Sequence, residues 1–391
     1  MSVIGIVCEL NPFHNGHKYL IDSVKQNGDT VVCVMSGNFV QRGEPAIFPK
    51  ESRVKSALLN GADVVLELPF VYATASAEIF AYNAVKILDS FGCDKIAFGT
   101  ENATIEKLNR IVDIISNENF DYELKKHLDS GESYPTARQN ALNFFADDCD
   151  ISLPNNILAV EYLKAIKKLD SKIVPICVNR VGADYNDKFA INNFASATHI
   201  RSLIYDGKFF DKFVPENIVN FYNELIKNGN FVSKEKYNLA SLTLLRSKFY
   251  ENSQNIGNMA EGLENRIEDA VCNSLYLDEI YDKAKTKRYT HSRIRRAVLC
   301  RQFDVKNDDL TTEVPYCRLL GFNKNSTDIL GNSANNCKLP FVVRYSDILK
   351  LNNDEANKIF NYEEKSTDFY NLILNNTDVC SKERTFSPIK L

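Results

Sequence analysis

The sequence predicts an α/β protein: a doubly wound parallel sheet followed by a mainly α-helical C-terminal domain. Three observations predict it. Short apolar, β-branched runs recur through the first half of the chain and lead into stretches with helical spacing. Clusters of Gly, Pro and Asn punctuate them. Beyond Gly207 the strand signals thin out and helical patterns take over.

Taken in order, Val3 to Cys8 is long enough for one buried strand, and Asn11-Pro12 stops it. Leu20, Ile21 and Val24 then recur at helical spacing. Thr30 to Met35 reads as a second strand. Ser36 to Pro49 reads as a long loop holding Gln41, Arg42 and Glu44, and loops of that length are usually functional or mobile. Lys50 to Asn60 is helical, Ala62 to Leu68 is a third strand, and Thr74 to Phe91 is a helix. Asp94 to Phe98 is a fourth strand, followed by Gly99. A glycine at the carboxyl edge of a parallel sheet suits ligand binding, and equally suits a plain strand-to-helix turn.

Residues 104–150 read as a helical insertion of about three segments, broken at Gly131 and Pro135. Pro154-Asn155-Asn156 precedes a helix from Ile157 to Leu169, with Asn as its cap. Lys172 to Val178 is a fifth strand, ending at Asn179-Arg180. Ser196 can cap a short helix that carries Thr198 and Arg201. The domain boundary falls near Gly207, giving a 1–206 nucleotide-binding unit and a 207–391 helical unit. Helices are expected at Leu239 to Phe249, Asn258 to Leu275 and Leu277 to Lys285, a short strand at Leu339 to Tyr345, and a loose tail from about Glu383.

The 391 residues suffice for two or three domains, and a net charge of −4 excludes a polycation. Any nucleic-acid surface must be a local patch. The ten cysteines form no C-x-x-C pair, which suits reduced thiols in the cytoplasm. No signal peptide precedes the first strand and no apolar run approaches the ~18 residues of a membrane span.

Two features suggest chemistry. The first is His14-Asn15-Gly16-His17, between a buried strand and a helix start. A helix start offers free N–H groups and a positive dipole end, Gly16 admits a close ligand, and the two imidazoles can donate to phosphate oxygens. The same pair can be ordinary surface histidines or half a metal site, although no third ligand has local spacing, so no metal site is assigned. The second is the basic stretch Lys283 to Arg301, which contains no acidic residue. It suits a phosphate backbone; the alternative is a solvated face packed on acidic neighbours.

Strand, H-x-G-H, then helix resembles the nucleotidylyltransferase superfamily with the HIGH signature, and a Ser/Thr-rich helix start with Arg201 resembles its second phosphate-binding signature. The longer run Glu9 to His17 resembles the bacterial tRNA(Met) cytidine acetate ligase family. Further matching blocks are Met35 to Pro45, Gly61 to Pro69, Phe98 to Glu101, Pro154 to Tyr162, Ala195 to Arg201 and Lys285 to Tyr289. The chain departs from the family pattern at Leu10, Glu51 and Ala159.

The resemblance implies a Rossmann-like sheet and an enzyme that activates acetate with ATP, forms acetyl-adenylate, and acetylates the wobble cytidine of elongator tRNA(Met). It implies His14 and His17 as catalytic. It implies nucleotide contacts from Val7, Cys8, Glu9, Leu10, Asn11, Pro12, Phe13, His14, Asn15, Gly16, His17, Lys18, Tyr19 and Leu20. Gly99, Asn155 or Asn156, Arg180, Ser196, Thr198 and Arg201 would join them. Lys285, Lys287, Arg288, Arg293, Arg295 and Arg296 would bind tRNA. ATP would be a substrate, with Mg²⁺ beside it. Alternatives are an adenylyltransferase acting on a small phosphorylated acceptor, a non-catalytic tRNA-binding protein, and a nucleotide-binding regulator.

Overall fold

The computed structural model describes residues 1–391 apart from 102, 147, 152, 180–192, 250, 252 and 254. The strands among the described residues are Val3–Cys8 (β1), Thr30–Ser36 (β2), Phe39–Val40 (β3), Glu44–Pro45 (β4), Val64–Leu68 (β5), Lys95–Thr100 (β6), Val174–Asn179 (β7), Cys317–Phe322 (β8), Phe341–Val342 (β9) and Ile389–Lys390 (β10). β2 and β5 are buried at every residue. Helices cover both faces of such a sheet, so its strands read as continuous apolar runs rather than alternating ones.

The main sheet runs β10-β8-β5-β2-β1-β6-β7, with β9 beside β8. β1 pairs in parallel with both β2 and β6. The winding therefore reverses between β1 and β6, and at such a point the carboxyl ends of the strands leave a crevice. Separate apolar clusters fill the two faces. The three insertion helices lie at Ile105–Ile115, Glu118–Asp129 and Tyr134–Phe145. No helix among the described residues is long and apolar enough to cross a membrane.

Four expectations change. The helix expected from Thr74 begins only at Ala77, because Ser76 caps it by accepting from Ile79 N, and a separate short helix, Phe70–Ala73, precedes it. The helix after Leu153 starts at Pro154, the position where a missing N–H costs nothing. Asn155 and Asn156 therefore sit inside its first turn and do not cap it. The Ser36 to Pro49 loop holds the β3–β4 hairpin, in which Phe39 faces Pro45 and Val40 faces Glu44.

The fourth change concerns the end of the chain. Residues after Gly207 are mostly helical, yet they also add β8, β9 and β10 to the sheet. β8 runs antiparallel to β5. Its arginine hid it in the sequence: Arg318, the second residue of the strand, is buried and pairs with Glu67 at 2.7 Å across the two strands. The tail is not loose at Glu383. That carboxylate is buried, pairs with Lys50 and lies 2.7 Å from Arg318. Lys50 also holds Glu67 at 2.6 Å and Glu363 at 3.2 Å.

Candidate active site

Beyond β1 the chain turns through Glu9 to Phe13, with Leu10 at φ 50°. Arg53, fully buried on the helix Lys50–Leu59, clamps this turn. It donates to Glu9 O at 2.6 Å, Ser36 O at 3.2 Å, Phe48 O at 3.1 Å and Gly37 O. One guanidinium thus satisfies the carbonyls at the ends of β1 and β2, which no helix or strand would pair. Phe13 is buried, and its N–H donates to Tyr222 Oη at 3.2 Å, so the helix Glu216–Lys227 supports the loop from below.

His14 is the N-cap of the helix Asn15–Val24. Gly16 N donates to His14 Nδ1 at 3.0 Å, and His14 N donates to His17 Nδ1 at 3.2 Å. This is a capping box in which both partners are imidazoles. The rings stack with centroids 3.8 Å apart. Because each Nδ1 accepts a backbone N–H, the proton of each neutral ring sits on Nε2. A Cβ at Gly16 would meet His14 Cε1 at 2.8 Å, so the glycine gives the imidazole its seat.

The second signature lies alongside. Ser196 caps the helix Ala197–Tyr205 by accepting from His199 N at 3.2 Å. Arg201 donates to Asn11 O at 2.8 Å and to Thr198 Oγ1 at 3.1 Å. Asn11 Oδ1 accepts from Ile47 N at 2.7 Å. Asn11 therefore joins the His-x-Gly-His loop to the hairpin on one side and to the second signature on the other.

These elements surround a cavity of about 970 Å³ over the carboxyl ends of β1 and β6. Of the residues the sequence suggested, Val7, Cys8, Glu9, Leu10, Asn11, His14, Gly16, His17, Tyr19, Leu20, Gly99, Asn155, Ser196, Thr198 and Arg201 line it. Five do not. Pro12 and Phe13 are buried beneath the turn. Asn15 donates to the carbonyls of Asn193 and Lys212, and Lys18 pairs with Asp22 on the outer face. Asn156 is buried, its amide spent on Glu101 N at 3.1 Å and Asp150 O. Arg180 lies outside the described residues.

Glu101 positions the asparagine pair. Its carboxylate accepts from the Asn155 side chain and, at 3.2 Å, from Asn156 N. Phe98 and Tyr162 meet at 5.6 Å, and with Ile157 and Leu158 they make one wall apolar. Glu9 lines the cavity and accepts from Gln41 N at 2.8 Å. Burial pushes its carboxyl up, while that N–H and the nearby Arg42 and Arg201 oppose the shift.

The basic stretch is divided. Lys285, Lys287 and Arg288 are exposed. Arg288 and Arg293 reach Glu261 at 3.1 and 3.2 Å, and Arg295 pairs with Glu44 of the hairpin. Acidic residues from distant segments thus partner three of the six cations. Arg296, on the helix His291–Phe303, lines the cavity together with Thr290 and Ser292.

A family model described as HIGH Nucleotidyl Transferase matches residues 1–385. A Clostridium kluyveri protein named tRNA(Met) cytidine acetate ligase is 39% identical, covering 90% of this chain and 92% of its own length. A Caldanaerobacter subterraneus protein of the same name is 39% identical, covering 100% and 99%. The chain belongs to the tRNA(Met) cytidine acetate ligase family. Its fold agrees with the crystal structure of Thermotoga maritima TmcAL bound with alpha-thio ATP, at a TM-score of 0.91, 33% identity and full coverage of both chains. The apo form of that protein matches with the same TM-score.

Within the family frame, sequence reading missed Arg53, Tyr222, Glu101 and Glu44 as supports of the site. Arg53 sits among Val54, Ala57 and Leu58 on a short helix, and no local signal separates it from a solvated arginine. Glu101, two residues past Gly99, and Glu44 both stood in matching blocks and were the ones that could have been found.

Proposed function

We propose that this chain is an ATP-dependent ligase that joins acetate to AMP and passes the acetyl group to the wobble cytidine of elongator tRNA(Met). The observation that carries the reading is that a double-histidine helix start, a second phosphate-type helix start and one end of the basic helix share the wall of one cavity. The relatives' name points to the acid and the RNA, and the alpha-thio ATP complex of a relative points to the nucleotide.

A free carboxylate is a poor acyl donor because oxide would have to leave. Attack of an acetate oxygen on the α-phosphorus forms the acyl–phosphate bond and expels pyrophosphate. The cytidine amine then attacks the acetyl carbon, loses a proton, and AMP leaves. His14 and His17 donate from Nε2 to phosphate oxygens as charge moves onto the leaving group. The helix start at Ser196, with Thr198 and Arg201, holds the β- and γ-phosphates. Phe98 and Tyr162 offer an apolar wall to the adenine, and Asn155 offers a polar edge. Lys285, Lys287 and Arg288 lie where an RNA backbone can reach them.

Mg²⁺ belongs to this reading as an ion carried by the triphosphate, since it keeps water and phosphate ligands and needs few from protein. Among the described residues no group of three or more His, Cys, Asp or Glu side chains could hold a metal. The protein would act in the cytoplasm, where its ten free thiols stay reduced.

The test is acetate-dependent pyrophosphate release from ATP, with and without total tRNA, followed by nucleoside mass analysis of the RNA. Acetylcytidine is expected. Pyrophosphate release without it, in the presence of tRNA, overturns the acceptor assignment.

A further inference from the structure

Glu44 stands between two arginines of different elements. Its Oε1 pairs with Arg295 on the basic helix, and its Oε2 lies 3.9 Å from Arg201 Nη2 on the second phosphate-type helix. Both guanidinium groups and the carboxylate are only partly exposed, so their charges are incompletely screened.

The hairpin that carries Glu44 is fixed. Gln41 N donates to Glu9 Oε1 at 2.8 Å, and Gln41 Nε2 donates to Ala75 O at 3.1 Å. Gly43 has φ 77°, and a Cβ there would lie 2.8 Å from the Arg295 carbonyl carbon and from Arg296 N. The turn therefore touches the backbone of the basic helix directly, and Glu44 cannot drift from the gap between the two arginines.

We propose that Glu44 is a positioning residue, a counter-anion that competes with the nucleotide's phosphates for Arg201 and makes them sensitive to what occupies Arg295. The inference rests on the reading that Arg201 holds the β- and γ-phosphates. With Arg295 in place, the charge of Glu44 is shared between two cations. An RNA phosphate on Arg295 neutralises one of them, and Glu44 then draws Arg201 more strongly. Pyrophosphate is held less tightly once the acceptor strand has docked. By linkage, bound pyrophosphate weakens RNA binding by the same factor.

The experiment is a double-mutant cycle on the full chain, read by equilibrium binding of pyrophosphate and by the KM and kcat for ATP. Glu44→Gln is expected to tighten pyrophosphate about fivefold, within the usual range of coupling between sites. It lowers KM for ATP, and kcat with it, because the product leaves more slowly. Loss of a merely structural contact would weaken binding and raise KM, and that result overturns the proposal. Glu44→Asp keeps the charge and restores native values in part.

Arg295→Met is expected to weaken pyrophosphate severalfold in the native background and to add nothing in the Glu44→Gln background; equal effects in both backgrounds also overturn the proposal. Gly43→Ala, which lifts the hairpin off the helix without changing charge, is expected to erase the Arg295→Met effect. Should Glu44→Gln fail to fold, Arg295→Met decides alone, since unchanged or tighter pyrophosphate binding contradicts the charge argument. The pyrophosphate-binding readout needs no acetyl transfer, so failure of the ligase reading shows separately, as absence of acetylcytidine.

Discussion

Glu9 and Glu67 occupy near-identical sequence settings. One stands in Cys8-Glu9-Leu10-Asn11-Pro12-Phe13, the other in Leu66-Glu67-Leu68-Pro69-Phe70, each at the carboxyl end of an apolar strand. In the fold they part company. Glu67 is sealed among Lys50, Arg318, Glu363 and Glu383, all buried. Glu9 faces an open cavity and takes one backbone N–H. A closed partner set offsets desolvation and leaves nothing for a ligand. An open set keeps water and charge available. Residue type and strand-end setting are shared by the two sites; what distinguishes them is that Glu67 is fully buried with its charge already partnered, whereas Glu9 stays partly exposed to the cavity.

The sealed cluster has three carboxylates and two cations, so one proton neutralises it. Burial and the neighbouring Glu67 push Glu363 up to about 8, whereas Lys50 and Arg318 hold Glu383 down at about 2. Lys50 is held well above its ordinary value by the three carboxylates.

The largest expected effect breaks this cluster. Lys50→Met leaves three buried carboxylates to one arginine and should cost about 3–5 kcal/mol in urea unfolding. An unchanged midpoint would show the cluster to be dispensable, and the contrast with Glu9 would fail. Next, His17→Ala on the open side should cut acetate-dependent ATP–pyrophosphate exchange about 10²–10³-fold. The same variant should unfold at nearly the native urea concentration, because it loses only half of a capping box.

Glu363→Gln changes a slope rather than a level. The folded carboxyl titrates above its unfolded value of 4.5. Its contribution to stability is therefore full below the unfolded value and is lost as pH rises through the folded one. Native stability should decline toward pH 8 on this account, and the glutamine variant should lose that decline in urea titrations across the window. Glu383 has the opposite sign, with a contribution present at neutral pH and lost as acid takes the pH below 4.5. If Glu363→Gln left the alkaline decline intact, the shared proton would sit elsewhere.

Gly16→Ala sharpens the open side. Its Cβ would press on the His14 ring, and overpacking of this kind costs about 1–3 kcal/mol, to be read as weaker ATP binding by calorimetry. The smallest effect belongs to the exposed cations. Lys287→Ala should reduce the slope of log affinity for total tRNA against log salt by about 1, with little sequence dependence. Arg293→Ala should do less, because Glu261 already engages that arginine.

Local pattern was enough for the five parallel strands, the three insertion helices, the Ser196 cap and the double-histidine helix start. Each rests on period, turn chemistry or capping within a few residues, and those forces act along the chain. β8 was not visible, because its Arg318 is tolerable in a strand only opposite Glu67, 251 positions away. The fate of the basic stretch was equally hidden. It has no acidic residue of its own, and Glu44 and Glu261 reach it only through the fold.

By itself, then, the sequence determined where strands and helices begin, that His14 and His17 stand at a helix start after a buried strand, and that one short segment concentrates positive charge. Only the tertiary structure decided which of two look-alike glutamates is sealed and which lines the cavity. It also decided that Arg53 clamps the turn, that Asn155 rather than Asn156 reaches the cavity, and that Glu44 sits between two arginines. The physical reason is range. Backbone propensity and capping are settled by neighbours in sequence, whereas the cost or use of a charge depends on the partners that distant segments bring to it.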